Sequence, residues 1–256
     1  MQNALLKIKR AKQHIADFES KLQAFKAANP YRLVVESNDE ANGFSLVFRI
    51  LKSAPSDLPA IVGDAVHNLR VALDVLIYGI VVKNFPEASP GQARRIQFPF
   101  SETADALERT INDRHICRAG KQVTDEIIRL KPYKGASGDG GGLYALHELD
   151  IADKHRLFID LDRVSIIPDF TLLNALGDRI VNMTNVGMGA KEGMTFLHIE
   201  QPVRDVKINH YINPSPEIIF SRMQPFGGKA VTPTLVQLTQ LVEQTIAAIA
   251  RAAGNI

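Results

Sequence analysis

Two short stretches of this chain concentrate side chains able to move protons and hold anions. In the first, Gly63 to Tyr78 read G-D-A-V-H-N-L-R-V-A-L-D-V-L-I-Y. On a helix that order places Asp64, His67, Asn68, Arg70, Asp74 and Tyr78 nearly in line, opposite an apolar side. In the second, Leu146 to Arg156 read L-H-E-L-D-I-A-D-K-H-R. Helical spacing there puts His147, Asp150, Ile151 and Lys154 on one face, flanked by Glu148 and His155, with Asp153 and Arg156 turned elsewhere. An imidazole titrates within reach of neutral pH and can act as acid or base. Arginine and lysine hold phosphate or another oxyanion. Arg70 and Asp74, four residues apart, suit an intrahelical ion pair that would keep Arg70 rigid for such an anion.

The expected catalytic set is therefore His67, Arg70, Asp74, His147 and Asp150, with Asn68, Tyr78, Lys154 and His155 as binding residues. His67 and His147 would be the acid–base pair, Asp74 and Asp150 would orient them, and Arg70 and Lys154 would hold phosphate. A buried unpaired charge is too costly to persist, so each stripe must be a site or a satisfied structural network. Face-to-face packing of the two stripes would bring both imidazoles, both carboxylates and both cations into one pocket. His147 and Asp150 could also share a metal ion, but no H-E-x-x-H pattern exists, and no metal or cofactor is expected. No G-x-S-x-G marks a serine nucleophile. Cys117, the only cysteine, is expected to be a partly buried thiol.

The elements that must position these residues can be read from periodicity. A helix is expected over 3–28, with Ile8, Ala11, Ile15, Phe18, Leu22 and Phe25 forming a seam that could pair with a second copy. Strands follow at 31–36 and 44–51, joined as a hairpin by the turn-rich Asn38 to Gly43. The first stripe lies on a helix over 58–83, opened by Pro59. Further helices are expected at 101–113, 114–130 and 143–159. The glycine-rich segment Gly135 to Gly142 reads as a mobile connection that could cover the pocket. Short β-like runs fill 163–226 as an antiparallel meander, and a last helix begins with Thr232 as N-cap and Pro233, closing at Gly254. The order predicts an α+β fold: a single domain over 1–256, its helical core at about 1–160 carrying the hairpin 31–51, then the meander and final helix at about 163–254.

Composition sets the outer bounds. The 256 residues are 45% hydrophobic and 23% charged, ordinary for a globular domain, with a formal charge of only +2. Whole-molecule attraction to nucleic acid or anionic lipid is thus weak, although Lys7, Lys9, Arg10, Lys12, Lys21 and Lys26 crowd the first helix. The first residues do not read as a signal peptide, and the apolar run Val75 to Val82 is too short for a membrane span. A cytoplasmic protein that meets no membrane is expected.

The motifs G-D-A-V-H-N-L-R-V-A-L-D, Gln97-Phe98-Pro99-Phe100, Leu130-Lys131-Pro132-Tyr133 and L-H-E-L-D-I-A-D-K-H-R together resemble an uncharacterised bacterial family, over most of the chain. More distantly the chain is similar to HEPN domains, helical modules of toxin–antitoxin and antiphage systems. Many of these are metal-independent ribonucleases that place a histidine five to seven residues after an arginine on one helix. Arg70 matches that arginine, while the histidine positions are occupied by Val75, Leu76 and Ile77. The resemblance implies an RNA- or nucleotide-binding protein, as a degenerate ribonuclease of a defence or mobile element. The alternatives are a non-catalytic scaffold with an internal polar network and a metal-dependent hydrolase.

Overall fold

The computed structural model describes residues 1–38, 43–156, 159–174, 176–200, 206–208 and 212–254. Its order is α1 (Gln2–Ala27), β1 (Tyr31–Asn38), β2 (Gly43–Ile50), α2 (Leu58–Asn84), α3 (Pro90–Ala93), α4 (Ala104–Asp113), a 3-10 turn (Ile116–Ala119), α5 (Lys121–Leu130) and α6 (Asp139–Arg156). Seven strands follow: β3 (Leu161–Ile167), β4 (Phe170–Asn174), β5 (Arg179–Met183), β6 (Val186–Gly189), β7 (Thr195–Ile199), β8 (Val206–Ile208) and β9 (Ser215–Phe220). The chain closes with α7 (Val231–Ala252). The fold is α+β, with an N-terminal hairpin and C-terminal strands followed by a helix.

The chain forms two compact units rather than one. The first gathers 1–18, 57–160 and 220–256; the second gathers 19–56 and 161–219. Helix α2 is the spine of the first unit and packs on both α6 and α7. Leu69, Leu73, Leu76 and Ile77 of α2 are wholly enclosed, as are Leu143, Leu146 and Leu149 of α6 and Leu235, Val242 and Ile249 of α7. Among the described residues α2 alone is long and apolar enough to cross a bilayer, yet 56% of its most apolar window is buried inside the protein, where it serves as a core helix. The seam of α1 is buried along its whole length, from Ile8 to Phe25. A second copy would therefore have to use its outer face.

The second unit places the hairpin with the later strands, not with the helical core. Register in β1–β2 runs from Tyr31 opposite Ile50 to Asn38 opposite Gly43. The turn residues 39–42 lie outside the described residues. The other edge of β2 pairs antiparallel with β7, with Phe44 opposite Ile199. The remaining strands form sheets ordered β6-β3-β9 and β5-β4-β8, so neighbours are not simply successive in the chain. Phe44, Leu46 and Phe48 point into the core, where Tyr31 sits 5.0 Å from Phe48 and 5.9 Å from Phe25.

Four local expectations are revised. Helix α4 starts at Ala104, because Thr103 caps it by accepting from the Ala106 N–H. Helix α7 starts at Val231 with Ala230 as its cap residue, so Thr232 lies inside the first turn. The expected mobile segment is in large part helix: α6 begins at Asp139, and three glycines form its first turn. A Cβ on Gly140 would lie 2.3 Å from the Lys131 carbonyl oxygen and 2.4 Å from that of Leu130. One on Gly142 would lie 2.8 Å from Leu241 Cδ2. These residues are small because α6 abuts the end of α5 and the side of α7. Finally, Cys117, on the 3-10 turn, is exposed.

Candidate functional site

Both stripes belong to the first unit, and they face each other. Helices α2 and α6 run antiparallel and meet in three successive rungs. At the first, the backbone of Gly63 leaves room for the carboxylate of Asp153; a Cβ there would lie 2.2 Å from Asp153 Oδ1. At the second, His67 Nδ1 is 2.8 Å from Asp150 Oδ1. At the third, Arg70 Nε donates to His147 Nδ1 over 3.3 Å. The rungs follow from helical geometry: residues three or four apart on each helix stack about 5 Å apart along the axis.

The middle rung opens to solvent. Asp150 is only 3% exposed, but its two oxygens are both engaged, Oδ1 by His67 and Oδ2 by the Lys154 ammonium at 2.6 Å. The His67 and Lys154 side chains are 42% and 50% exposed. A carboxylate that accepts from Nδ1–H leaves Nε2 of a neutral imidazole as a bare acceptor. Asp153 lies beside this group; burial raises its carboxyl above the usual range, and the carboxylates of Asp150 and Asp64 push the same way. Asp64, one turn before His67, is 3.9 Å from His14 of α1 and accepts at its carbonyl from the Asn68 side chain.

The third rung closes around Arg70 and leaves His147 partly exposed. Arg70 is 4% exposed. Its Nη1 lies 2.5 Å from Asp74 Oδ2, an ion-pair contact whose angles do not align an N–H on that oxygen. The guanidinium carbon sits 4.5 Å over the Phe100 ring. Asp74 Oδ1 accepts from the Phe98 N–H at 2.8 Å, and Arg114 donates to the Phe98 carbonyl. Burial lowers the pKa of Arg114, with Arg70 nearby adding to the effect. His147 stacks on Phe100, centroids 4.4 Å apart and planes 7° from parallel, and meets the edge of Tyr144 at 5.9 Å. Burial, then the charges of Arg70 and Arg114, push His147 down to about 4. The Tyr144 hydroxyl donates to Glu102 at 2.6 Å, and burial holds its pKa above the usual value.

Some expected roles therefore change. Asp150 contacts His67, a pairing the spacing alone does not specify, whereas His147 is contacted by Arg70 rather than by Asp74 or Asp150. Arg70 and Lys154 do not converge on one open hollow, because the guanidinium is enclosed by Asp74, His147 and Phe100. Asp153 faces α2 rather than turning elsewhere. Tyr78 is exposed, and none of the described contacts brings it to these rungs. The side chain of His155 lies outside the described residues. Periodicity could not supply Phe98, Phe100 and Arg114, which arrive from the segment around α4; the Gln97-Phe98-Pro99-Phe100 motif contains the two phenylalanines, and nothing in the spacing points to Arg114. Among the described residues no group of three or more His, Cys, Asp or Glu is arranged to hold a metal ion. Compared with family models, curated proteins and solved structures, the chain matches none.

Proposed function

We propose that this chain is a HEPN-like, RNA-binding protein of the cytoplasm that cleaves RNA without a metal, with His67 as its base. The observation that carries the reading is the His67–Asp150 pair: a buried carboxylate fixes Nδ1–H of a partly exposed ring and leaves Nε2 as the acceptor. Lys154, fixed on the same carboxylate and half exposed, is placed to neutralise a phosphate. A polyanion has a further attraction nearby. Helix α1 meets α2 at His14–Asp64 and carries Lys7, Lys9 and Arg10, whereas its Lys12 is already paired with Glu243 at 2.7 Å.

In the reaction His67 Nε2 takes the proton of a ribose 2′-hydroxyl. The O2′–P bond forms and the P–O5′ bond breaks, while the departing O5′ takes a proton from the Lys154 ammonium. The products are a 2′,3′-cyclic phosphate and a 5′-hydroxyl end; Lys154 and His67 exchange their protons with water to reset. No co-reactant is required.

With chelator present, the protein should cleave a short unstructured RNA to those ends, and His67→Ala should slow cleavage by about a hundredfold or more. Failure of the wild-type protein to cleave, or full activity in His67→Ala, rejects the proposal. One observation favours a second reading, a non-catalytic scaffold: Arg70 is enclosed and engaged on three sides, as a structural network requires. Under that reading the RNA assay is blank.

A further inference from the structure

We propose that His147 is a fixed, uncharged hydrogen-bond donor that offers its Nε2–H to a non-bridging phosphate oxygen, while His67 handles the proton; this rests on the acid–base reading above. The tautomer follows from the third rung. Arg70 Nε can only donate, so His147 Nδ1 accepts, and the ring proton of the neutral imidazole sits on Nε2. The ring plane is set by the stack on Phe100 and the edge of Tyr144. The charged groups acting on it are Arg70 from α2, Arg114 just beyond α4, and Asp150 and Lys154 on α6 itself. The two arginines oppose a positive charge on the ring, and so does Lys154; Asp150 favours it.

The two imidazoles thus occupy adjacent rungs in opposite tautomers. His67 presents a bare nitrogen, and His147 presents an N–H. That division matches what transfer at phosphorus needs: a base for the attacking hydroxyl, and a preorganised donor where negative charge grows. It also gives Arg70 a purpose within its closed surroundings. Arg70 is a positioning residue, which acts on a phosphate through the imidazole it holds rather than by touching the phosphate. His147 is accordingly not a second general acid or base.

Nitrogen-15 NMR of the imidazoles in the intact protein tests this without any reaction. His147 should be neutral with its proton on Nε2 from about pH 5 to about pH 8, and inorganic phosphate should shift that Nε2–H resonance. An imidazolium at neutral pH, a proton on Nδ1, or a resonance unmoved by phosphate overturns the proposal. In the RNA assay His147→Gln, which keeps an N–H near the same place, should stay within about tenfold of wild type, while His147→Ala should lose about a hundredfold. Equal activity in His147→Ala and wild type also overturns it. If the wild-type protein cleaves no RNA, the acid–base reading falls, and the phosphate titration still decides the role of His147.

Discussion

Two histidines in one helix pair differ in what each touches. His67 rests on a carboxylate and faces water. His147 rests on a guanidinium and a phenyl ring. Removing a partner would be costly at the closed rung: without Asp74, both the Arg70 charge and the Phe98 N–H would lose their partner inside the protein, a loss on the order of 3 kcal/mol. The same contrast predicts a pH dependence. The His147 imidazole sits at about 4 in the folded protein, below its ordinary value near 6.5. Between those values the unfolded chain binds more protons, so stability is fully present above about pH 6.5 and drains away as pH falls toward about pH 4. The ceiling on this loss is about 3 kcal/mol, and less for a ring that is only partly enclosed. Asp153, held above its usual range by burial, works in the opposite direction, so comparison with a variant isolates the imidazole. Urea midpoints at about pH 4.5 and about pH 7 should differ more in wild type than in His147→Gln. An identical pH response in the two proteins would mean that the ring is not held neutral.

At the level of elements, glycine decides how closely the helices approach. An exposed helical glycine changed to alanine gains about 1 kcal/mol. At Gly140 the added Cβ would meet two backbone carbonyl oxygens that cannot swing aside. Gly140→Ala should therefore lower stability by about 1–3 kcal/mol, read from urea denaturation. Gly63→Ala should cost less, because the atom it strikes is the Asp153 carboxylate, which can turn toward water. A neutral or stabilised Gly140→Ala would restore the reading of this segment as a loose connection. That reading shows where sequence patterning stops being informative. Helices α1, α2 and α7 were legible because their apolar periods are long, and the Arg70–Asp74 pair was legible because it is local. The partner of each stripe residue was not, since periodicity gives a face and not the element that covers it. Asp153 faces α2, against the outward direction that its spacing predicts, for that reason. The glycine run was ambiguous because one residue type serves both for flexibility and for close contact. The Phe98 N–H that engages Asp74 and the ring that stacks on His147 come from a segment whose path only the tertiary fold defines.

For the molecule as a whole, both units are assembled from separated stretches of chain. The helical unit is interrupted twice, at 19–56 and at 161–219, and α1 contributes to both units. The second interruption leaves and returns at adjacent points, since the Ser221 N–H donates to the Asp160 carbonyl at 3.1 Å. The core contacts of α2 with α6 and α7, and every residue of the three rungs, lie within the helical unit. Replacing 161–219 with a short glycine-serine link should consequently leave that unit folded. The hairpin would lose the strand β7 that pairs with β2 and should unravel, because two strands alone are marginal in water. Circular dichroism should retain the helical signal with a cooperative melt, and the His67 and His147 ring resonances should keep their wild-type positions. If RNA cleavage resides in the rungs, the shortened protein should cleave as well. Loss of the cooperative helical transition would show that the helical core depends on the strands, and that the site is a property of the complete chain rather than of its helical unit.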